Sequence, residues 1–256
     1  MDRAEAVEAN PFHDLRLAEV FDAIGESDRG DLDPYFAIVD ELQTHTIIDL
    51  GSGTGVFACR LAELGKRVIG VEPGSASMTL ARRRPGADRV EWILGDAASM
   101  PECGADLITM TGNIPEHLTD DQWGAALAAA RRALRPGGHL VFGNRNVEVQ
   151  SWLTSPRYAP RSSPGSENRG SRVESTPAGP VHHWLEVTDL NADSFTFRWT
   201  FLIEGDHTEL TWETTFRIRT AEQIARDLEA ASFTLSDVRD NQHTFIALRA
   251  DDREPA

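Results

Sequence analysis

The chain has 256 residues and a mass of 28.2 kDa, enough for one α/β domain with a small embedded subdomain. Its 25 basic and 41 acidic residues give a formal net charge of -16, which repels phosphate backbones and anionic lipid head groups. Nucleic acid and membrane surfaces are therefore disfavoured as partners, and no apolar run approaches the roughly 20 residues of a spanning helix. The two cysteines, Cys59 and Cys103, lack metal-binding spacing and predict a reducing, cytoplasmic location without a metal site.

The first predicted elements are two helices, one around Leu17 to Ile24 and one from Pro34 to about Leu42. From residue 46 onwards, short apolar runs alternate with helical segments. The predicted strands are Thr46–Leu50, Arg67–Val71, Val90–Leu94, Ala105–Met110 and His139–Gly143. The predicted helices between them are Val56–Leu64, Ser75–Arg84 and Asp120–Leu134. This alternation indicates a doubly wound, mostly parallel sheet with helices on both faces.

The alternation stops after Asn144. The stretch Thr154–Pro180 contains five prolines and is predicted to be a loop, too long for a passive connector. Three strands are predicted next, as an antiparallel meander: Val181–Asp189, Ser194–Ile203 and Thr208–Arg219. One face of the middle strand is aromatic and forms either a substrate wall or a packing surface against the parent domain; it carries Phe195, Phe197, Trp199 and Phe201. The chain then returns to a helix at Ala221–Ala231, with Thr220 as its N-cap, and to strands near Thr234–Val238 and Thr244–Arg249.

The most informative stretch is a buried strand, a glycine-rich turn and a helix start between Ile47 and Phe57. Glycines allow a ligand to approach the backbone closely, and the helix start offers free N–H groups. The alternative is a tight turn that binds nothing. One βαβ step later a strand ends in Glu72, whose carboxylate can accept two hydrogen bonds from a ribose diol. The alternative for Glu72 is an exposed acid near a helix N-terminus.

Two cofactors compete for such a turn. Dinucleotide-binding turns follow GxGxxG, but the position three residues after Gly53 is Val56. Asp49, just before the turn, disfavours a pyrophosphate and suits an ammonium or sulfonium group. The turn therefore favours S-adenosylmethionine over NAD.

Four blocks resemble the class I S-adenosylmethionine-dependent methyltransferases, and they occur in that family's order across residues 46–143. They are Asp49–Gly55 (motif I), Ile69–Pro73 (the ribose motif), Leu94–Ala97 (the end of the third strand) and Leu134–Phe142 (the LRPGG turn). Residues 220–249 also resemble the family's last helix and strands. The resemblance implies a Rossmann-like, seven-stranded sheet whose last strand is antiparallel. The predicted meander then forms an antiparallel β insertion after strand 5. It also implies S-adenosylmethionine as cofactor and S-adenosylhomocysteine as product.

The same resemblance implies roles for individual residues. Asp49 would reach the amino group of the donor, and Glu72, followed by Pro73, would hold the ribose. The methionine part would be lined by Gly51, Ser52, Gly53 and Gly55, the adenine held by Asp96 and Ala97, and the reactive methyl faced by Thr111, Gly112 and Asn113. His117 is the candidate general base; the alternative is a surface histidine that opens the next helix. The family's apolar–His–His and Asn-Pro-Pro-Tyr patterns are absent after this strand, so the motif does not identify the acceptor.

The expected organisation is a helical cap (1–45), a methyltransferase core (46–146 and 220–249), a lid over the acceptor pocket (147–219) and a flexible tail (250–256). The lid is expected there because elements that follow strand 5 emerge at the carboxyl edge of the sheet. The expected function is methyl transfer to a small-molecule acceptor by in-line displacement, and the oligomeric state stays open between monomer and dimer. The alternatives are a non-catalytic S-adenosylmethionine-binding regulatory protein and an NAD-dependent oxidoreductase.

Overall fold

The structure is a computed structural model that describes residues 7–8, 11–25, 29–145, 172–239 and 244–250. The described residues divide into two compact units. One comprises those within 1–28 and 147–218, and the other those within 29–146 and 219–256. Residues 154–171 of the predicted loop and 251–256 of the predicted tail lie outside the described residues. The roles of cap and lid stay predictions.

Strands and helices alternate through much of the chain. In order, its first half contains β1 (Val7–Glu8), α1 (Leu15–Gly25), α2 (Asp33–Glu41), β2 (Thr46–Leu50), α3 (Val56–Glu63), β3 (Arg67–Glu72), α4 (Ser75–Ala81), β4 (Val90–Leu94), β5 (Ala105–Met110), α5 (Ile114–His117), α6 (Asp120–Ala133) and β6 (Leu134–Gly143). The second half contains β7 (Arg172–Thr176), β8 (Gly179–Leu190), β9 (Ser194–Ile203), β10 (Thr208–Arg217), α7 (Ala221–Ala230), β11 (Phe233–Arg239) and β12 (Thr244–Arg249).

A seven-stranded sheet in the order β11-β12-β6-β5-β2-β3-β4 forms the larger unit. Strands β6, β5, β2, β3 and β4 pair in parallel, whereas β12 runs antiparallel to β6 and to β11. The predicted Rossmann-like fold is confirmed. The strand order reverses at β2, which pairs with β3 on one side and β5 on the other. In such sheets, ligands bind at the carboxyl ends of the strands beside this reversal.

Neighbouring residues of β2 explain why both faces of this sheet are covered. Ile47 and Ile48 are both fully buried, and they point to opposite faces because side chains alternate along a strand. Ile47 packs in a cluster with Phe57 of α3, and Ile48 packs in a second cluster with Trp123 of α6. A strand that is apolar on both faces requires helices on both, as parallel sheets generally do.

The smaller unit contains a five-stranded sheet in the order β1-β10-β9-β8-β7. Its strands pair antiparallel except β1, which is parallel to β10. The predicted aromatic face of β9 packs against α1: Leu17 and Val20 are fully buried in the same cluster as its phenylalanines. Phe21 of α1 meets Trp199 edge to face, with the ring centroids 5.3 Å apart. This face is therefore a core within its own unit, and the helix that covers it comes from the amino-terminal segment.

The predicted loop that ended at Pro180 is wrong in its last part. Arg172–Thr176 forms β7, and β8 begins at Gly179, so these strands make a hairpin. The turn is closed by the Thr176 hydroxyl, which donates to the carbonyl of Gly179 at 2.9 Å. Pro180 is compatible with a strand because it lies near the start of β8, where a missing N–H is tolerated. The prolines and the many polar residues of this stretch therefore misled the prediction for its last part.

No helix in the described part of the chain is long and apolar enough to cross a membrane. Likewise, the described side chains include no group of three or more His, Cys, Asp or Glu residues arranged to hold a metal ion.

Candidate functional site

The residues assigned to the site from sequence follow the carboxyl ends of four neighbouring strands. Asp49 is the penultimate residue of β2, Glu72 ends β3, Asp96 follows β4, and Asn113 follows β5. These strands are adjacent and parallel in the sheet, so the structure brings their ends to one edge.

Asp49 is a fully buried carboxylate. Its Oδ1 accepts a hydrogen bond from the Thr109 hydroxyl on β5 at 2.9 Å, whereas Oδ2 has no hydrogen-bond partner. Burial raises the pKa of Asp49 to about 7, against the Thr109 hydrogen bond, which lowers it; the Glu72 charge adds to the rise. A buried carboxylate oxygen without a partner is costly unless a donor or a cation satisfies it. The chain thus provides, just before the glycine turn, a buried carboxyl group whose charged form a bound cation would stabilise.

Glu72 connects two turns. Its Oε2 accepts the N–H of Gly53 at 2.9 Å, and its Oε1 accepts the N–H of Gly74 at 2.7 Å. The residue is 4% exposed, so the alternative of an exposed acid near a helix start is wrong. Each carboxylate oxygen can accept more than one hydrogen bond, and the carboxylate is thus oriented by the backbone with capacity left for a diol.

The glycines of the turn serve different purposes, although all have positive φ. A Cβ on Gly55 would lie 2.7 Å from Cη2 of Trp92 and 3.0 Å from Cβ of Ala81, so Gly55 is required by packing. A Cβ on Gly51 would lie 2.5 Å from Cδ1 of Ile114. A Cβ on Gly53 would meet nothing within 4 Å, so Gly53 is the position that borders open space.

The remaining residues assigned to the donor differ in burial and in hydrogen bonding. Ser52 is buried, and its Oγ has no hydrogen-bond partner. Asp96 is exposed, and its Oδ1 accepts the N–H of Ala98 at 3.0 Å, which caps the short 3-10 turn that begins at Ala97. Pro73 is exposed. Their contacts with a nucleoside stay predictions.

The segment after β5 carries the residues assigned to the methyl side. Thr111 is buried, Gly112 is exposed, and Asn113 has φ +58° at the start of α5. Burial lowers the pKa of His117, the last residue of α5, to about 4, and the Arg145 charge adds to this effect. His117 is therefore neutral at pH 7. A group with so low a pKa takes up a proton poorly at pH 7. General bases work best when their pKa lies near the operating pH, so His117 is a poor general base.

Sequence reasoning missed the arginines that hold α5. Arg145 donates to Glu116 through its side chain at 2.6 and 2.9 Å and through its backbone N–H at 2.6 Å, and Glu116 is 2% exposed. Arg219 donates to the carbonyls of Pro115 and Leu118 at 2.6 and 2.9 Å. The two arginines lie at the two ends of the segment 146–218. Nothing in their sequence positions predicted that both contact the same four-residue helix.

A family model matches the part of the chain that forms this edge of the sheet. Residues 47–138 match the model of a methyltransferase domain. Over these residues the chain is similar to a methyltransferase domain. The resemblance to methyltransferases seen in the four sequence motifs is confirmed over these residues.

Individual relatives agree with this assignment. The chain is 27% identical over 166 residues to an uncharacterized methyltransferase of Mycobacterium avium, covering 59% of this chain and 64% of that protein. The matched stretches span 31% and 55% of two further curated relatives, so each match covers less than two thirds of the relative.

Solved structures share the fold over nearly the whole chain. The sugar N-methyltransferase KedS8 from Streptoalloteichus has a TM-score of 0.73 at 17% identity and covers 97% of this chain and 98% of its own. CalS10 from Micromonospora echinaspora, an amino pentose methyltransferase solved with S-adenosylmethionine bound, has a TM-score of 0.65 at 22% identity and covers 94% and 99%. At these identities the likeness shows the fold.

Proposed function

We propose that this protein is an enzyme that transfers the methyl group of S-adenosylmethionine to a small-molecule acceptor. The observation that carries the proposal is the buried Asp49 carboxylate, whose Oδ2 has no hydrogen-bond partner, below a turn in which Gly53 borders open space. The similarity of residues 47–138 to a methyltransferase domain supports it. The names of KedS8 and CalS10, which describe sugar methyltransferases, support a small-molecule acceptor.

The residues present fit this donor. When bound, it supplies an electrophilic methyl on a cationic sulfur that leaves as a neutral thioether. Asp49 would face its positive charge, Glu72 would accept the ribose hydroxyls, and Asp96 with Ala97 would hold the adenine. A dinucleotide fits less well, because its pyrophosphate would lie at the glycine turn, close to the Asp49 carboxyl group. This charge argument disfavours the NAD-dependent alternative.

On the acceptor side, the side chains would orient the methyl acceptor and would not act as a general base. Asn113 and the neutral His117 can hold an acceptor by hydrogen bonds, while Arg145 and Arg219 keep α5 in place. Holding the nucleophile in line with the methyl supplies most of the acceleration in such a displacement. A nucleophile that needs a strong base is poorly served by His117, because its pKa is about 4.

Calorimetry with S-adenosylmethionine, S-adenosylhomocysteine and NAD tests the donor. We expect the first two to bind and NAD not to bind. Glu72→Gln should weaken S-adenosylhomocysteine binding by about 1.5–3 kcal/mol, the range for a hydrogen bond to a charged group. Glu91→Gln, at an exposed acid of β4, is the matched control and should leave binding unchanged.

Transfer is tested with donor carrying a labelled methyl and a panel of small amines and alcohols. Label in a panel compound supports the proposal. Donor binding without transfer to any compound favours the regulatory, non-catalytic alternative, and binding of NAD in place of the donor overturns the proposal.

A further inference from the structure

Two side-chain oxygens, from Tyr35 and Asn113, lie close to Gly143 at the carboxyl end of β6. A Cβ on Gly143 would lie 2.7 Å from the Tyr35 hydroxyl oxygen and 2.9 Å from Oδ1 of Asn113. Tyr35 comes from α2 and is 6% exposed, whereas Asn113 follows β5. Three segments distant in sequence therefore converge on one point, and only a glycine leaves room for both oxygens.

The position of this pair relative to the donor residues follows from strand order. Glu72 and Asp96 follow β3 and β4, on one side of β2, whereas Asn113 and Gly143 follow β5 and β6, on the other side. Ile114, next to Asn113, contacts Gly51 of the donor turn. The pair thus borders the donor turn on the side away from the nucleoside residues.

The chemistry of the pair is that of a hydrogen-bond acceptor site. A side-chain amide oxygen only accepts, and a tyrosine hydroxyl can accept as well as donate. We propose that Tyr35 and Asn113 together bind the N–H or O–H of the methyl acceptor, which makes the acceptor an amine or a hydroxyl compound. This inference rests on the proposed function. Gly143 would serve the pair by leaving space for both oxygens.

Sinefungin tests the pair without knowledge of the acceptor, because it is the donor analogue in which a carbon bearing an ammonium group replaces the methylsulfonium. The ratio of its affinity to that of S-adenosylhomocysteine, measured by calorimetry, reports on groups that face the transferred methyl. Tyr35→Phe and Gly143→Ala should each lower this ratio about tenfold, as expected for loss of a hydrogen bond to a charged group. The affinity for S-adenosylhomocysteine itself should stay near its original value.

Thr44→Val is the matched control. It also removes a buried hydroxyl, one that donates to the Val39 carbonyl, but it lies just before β2, at the opposite edge of the sheet, and should keep the ratio. An unchanged ratio in both Tyr35→Phe and Gly143→Ala, with S-adenosylhomocysteine still bound, overturns the inference. If the unaltered protein binds neither compound, the proposed function itself fails, and the inference with it.

Discussion

The proposed function divides the carboxyl edge of the parallel sheet into a donor half, at the ends of β2, β3 and β4, and an acceptor half, at the ends of β5 and β6. The buried carboxyl groups of the two halves are paired differently. In the donor half, Asp49 keeps one carboxylate oxygen without a hydrogen-bond partner, and Glu72 is oriented by two backbone N–H groups. In the acceptor half, the buried Glu116 carboxylate is neutralised by Arg145, and His117 is uncharged at pH 7 because its pKa is about 4.

Under the proposed function, this difference matches the group that each half would hold. A carboxyl oxygen without a hydrogen-bond partner lies where a cationic donor would bind, and neutral hydrogen-bonding groups lie where a nucleophile would approach. A carboxylate left unpaired beside the nucleophile would stabilise a protonated, unreactive amine. The acceptor half avoids this by pairing its acid with an arginine.

The largest effect is expected from removal of the Arg219 side chain, which holds α5 in the acceptor half. Arg219→Met leaves the carbonyls of Pro115 and Leu118 without their donor, and we expect a loss of about 2–4 kcal/mol in the free energy of unfolding. The contact of Arg219 with Asp120 contributes little because that carboxylate is 90% exposed. Urea unfolding measures the loss.

The control for this change is Arg198→Met. Arg198 pairs with Glu213 on the smaller sheet with both partners well exposed, so its loss should cost at most about 1 kcal/mol. Equal losses in the two variants would show that burial of Arg219 does not matter.

The glycines of the donor turn come next. Gly55→Ala should destabilise the fold by about 2–3 kcal/mol, because it adds strain at positive φ and a clash with Trp92. Gly53→Ala adds only the strain, about 1–2 kcal/mol. It should nevertheless weaken S-adenosylhomocysteine binding more than Gly55→Ala does, because its methyl enters the open space in which the ligand would lie. Thermal unfolding and calorimetry on both variants separate the two effects, and a reversed order would refute the assignment of Gly53 to the ligand side.

The pH dependence of stability should distinguish Asp49 from Asp106 of the same sheet. The pKa of Asp49 is raised in the fold to about 7, so its contribution to stability is present below pH 4 and is lost as the pH rises to about 7. Asp49→Asn should therefore unfold at a higher temperature than the unaltered protein at pH 8, and it should bind S-adenosylhomocysteine less well, with a smaller effect on adenosine.

Asp106 is the control with the opposite sign. Although burial alone would raise the pKa of Asp106, hydrogen bonds from Arg135 and from the N–H groups of Thr46 and His45 lower it to about 2. Its contribution is present above pH 4 and is lost as the pH falls to about 2, so Asp106→Asn should destabilise the protein at pH 7. Stabilisation by both substitutions at pH 7 would contradict the structure.

The smallest effect concerns His117. Because burial lowers its pKa to about 4, an NMR titration should show its ring resonances shifting with a midpoint near pH 4. The pH profile of the methyl-transfer rate should show no inflection from His117 between pH 6 and 8. A midpoint near 6.5 would restore His117 as a candidate general base.

Much of the donor half could be predicted from sequence because its residues are local. A strand, a turn and a helix start lie within a dozen residues, and Glu72 follows one βαβ unit later, so spacing alone places them at one edge. Spacing did not show that Gly55 serves packing against Trp92 while Gly53 borders open space, since that depends on a side chain from β4.

The amino-acid sequence by itself determined the parallel sheet, its donor edge and the methyltransferase resemblance, because periodicity and turn chemistry act over short stretches of chain. Only the tertiary structure decided that Arg145 and Arg219 hold α5, that Tyr35 and Asn113 lie close to Gly143, and that α1 covers the aromatic face of β9. These contacts join residues far apart in the chain. Their partners are chosen by packing and by the pairing of buried polar groups, and no local pattern encodes that choice.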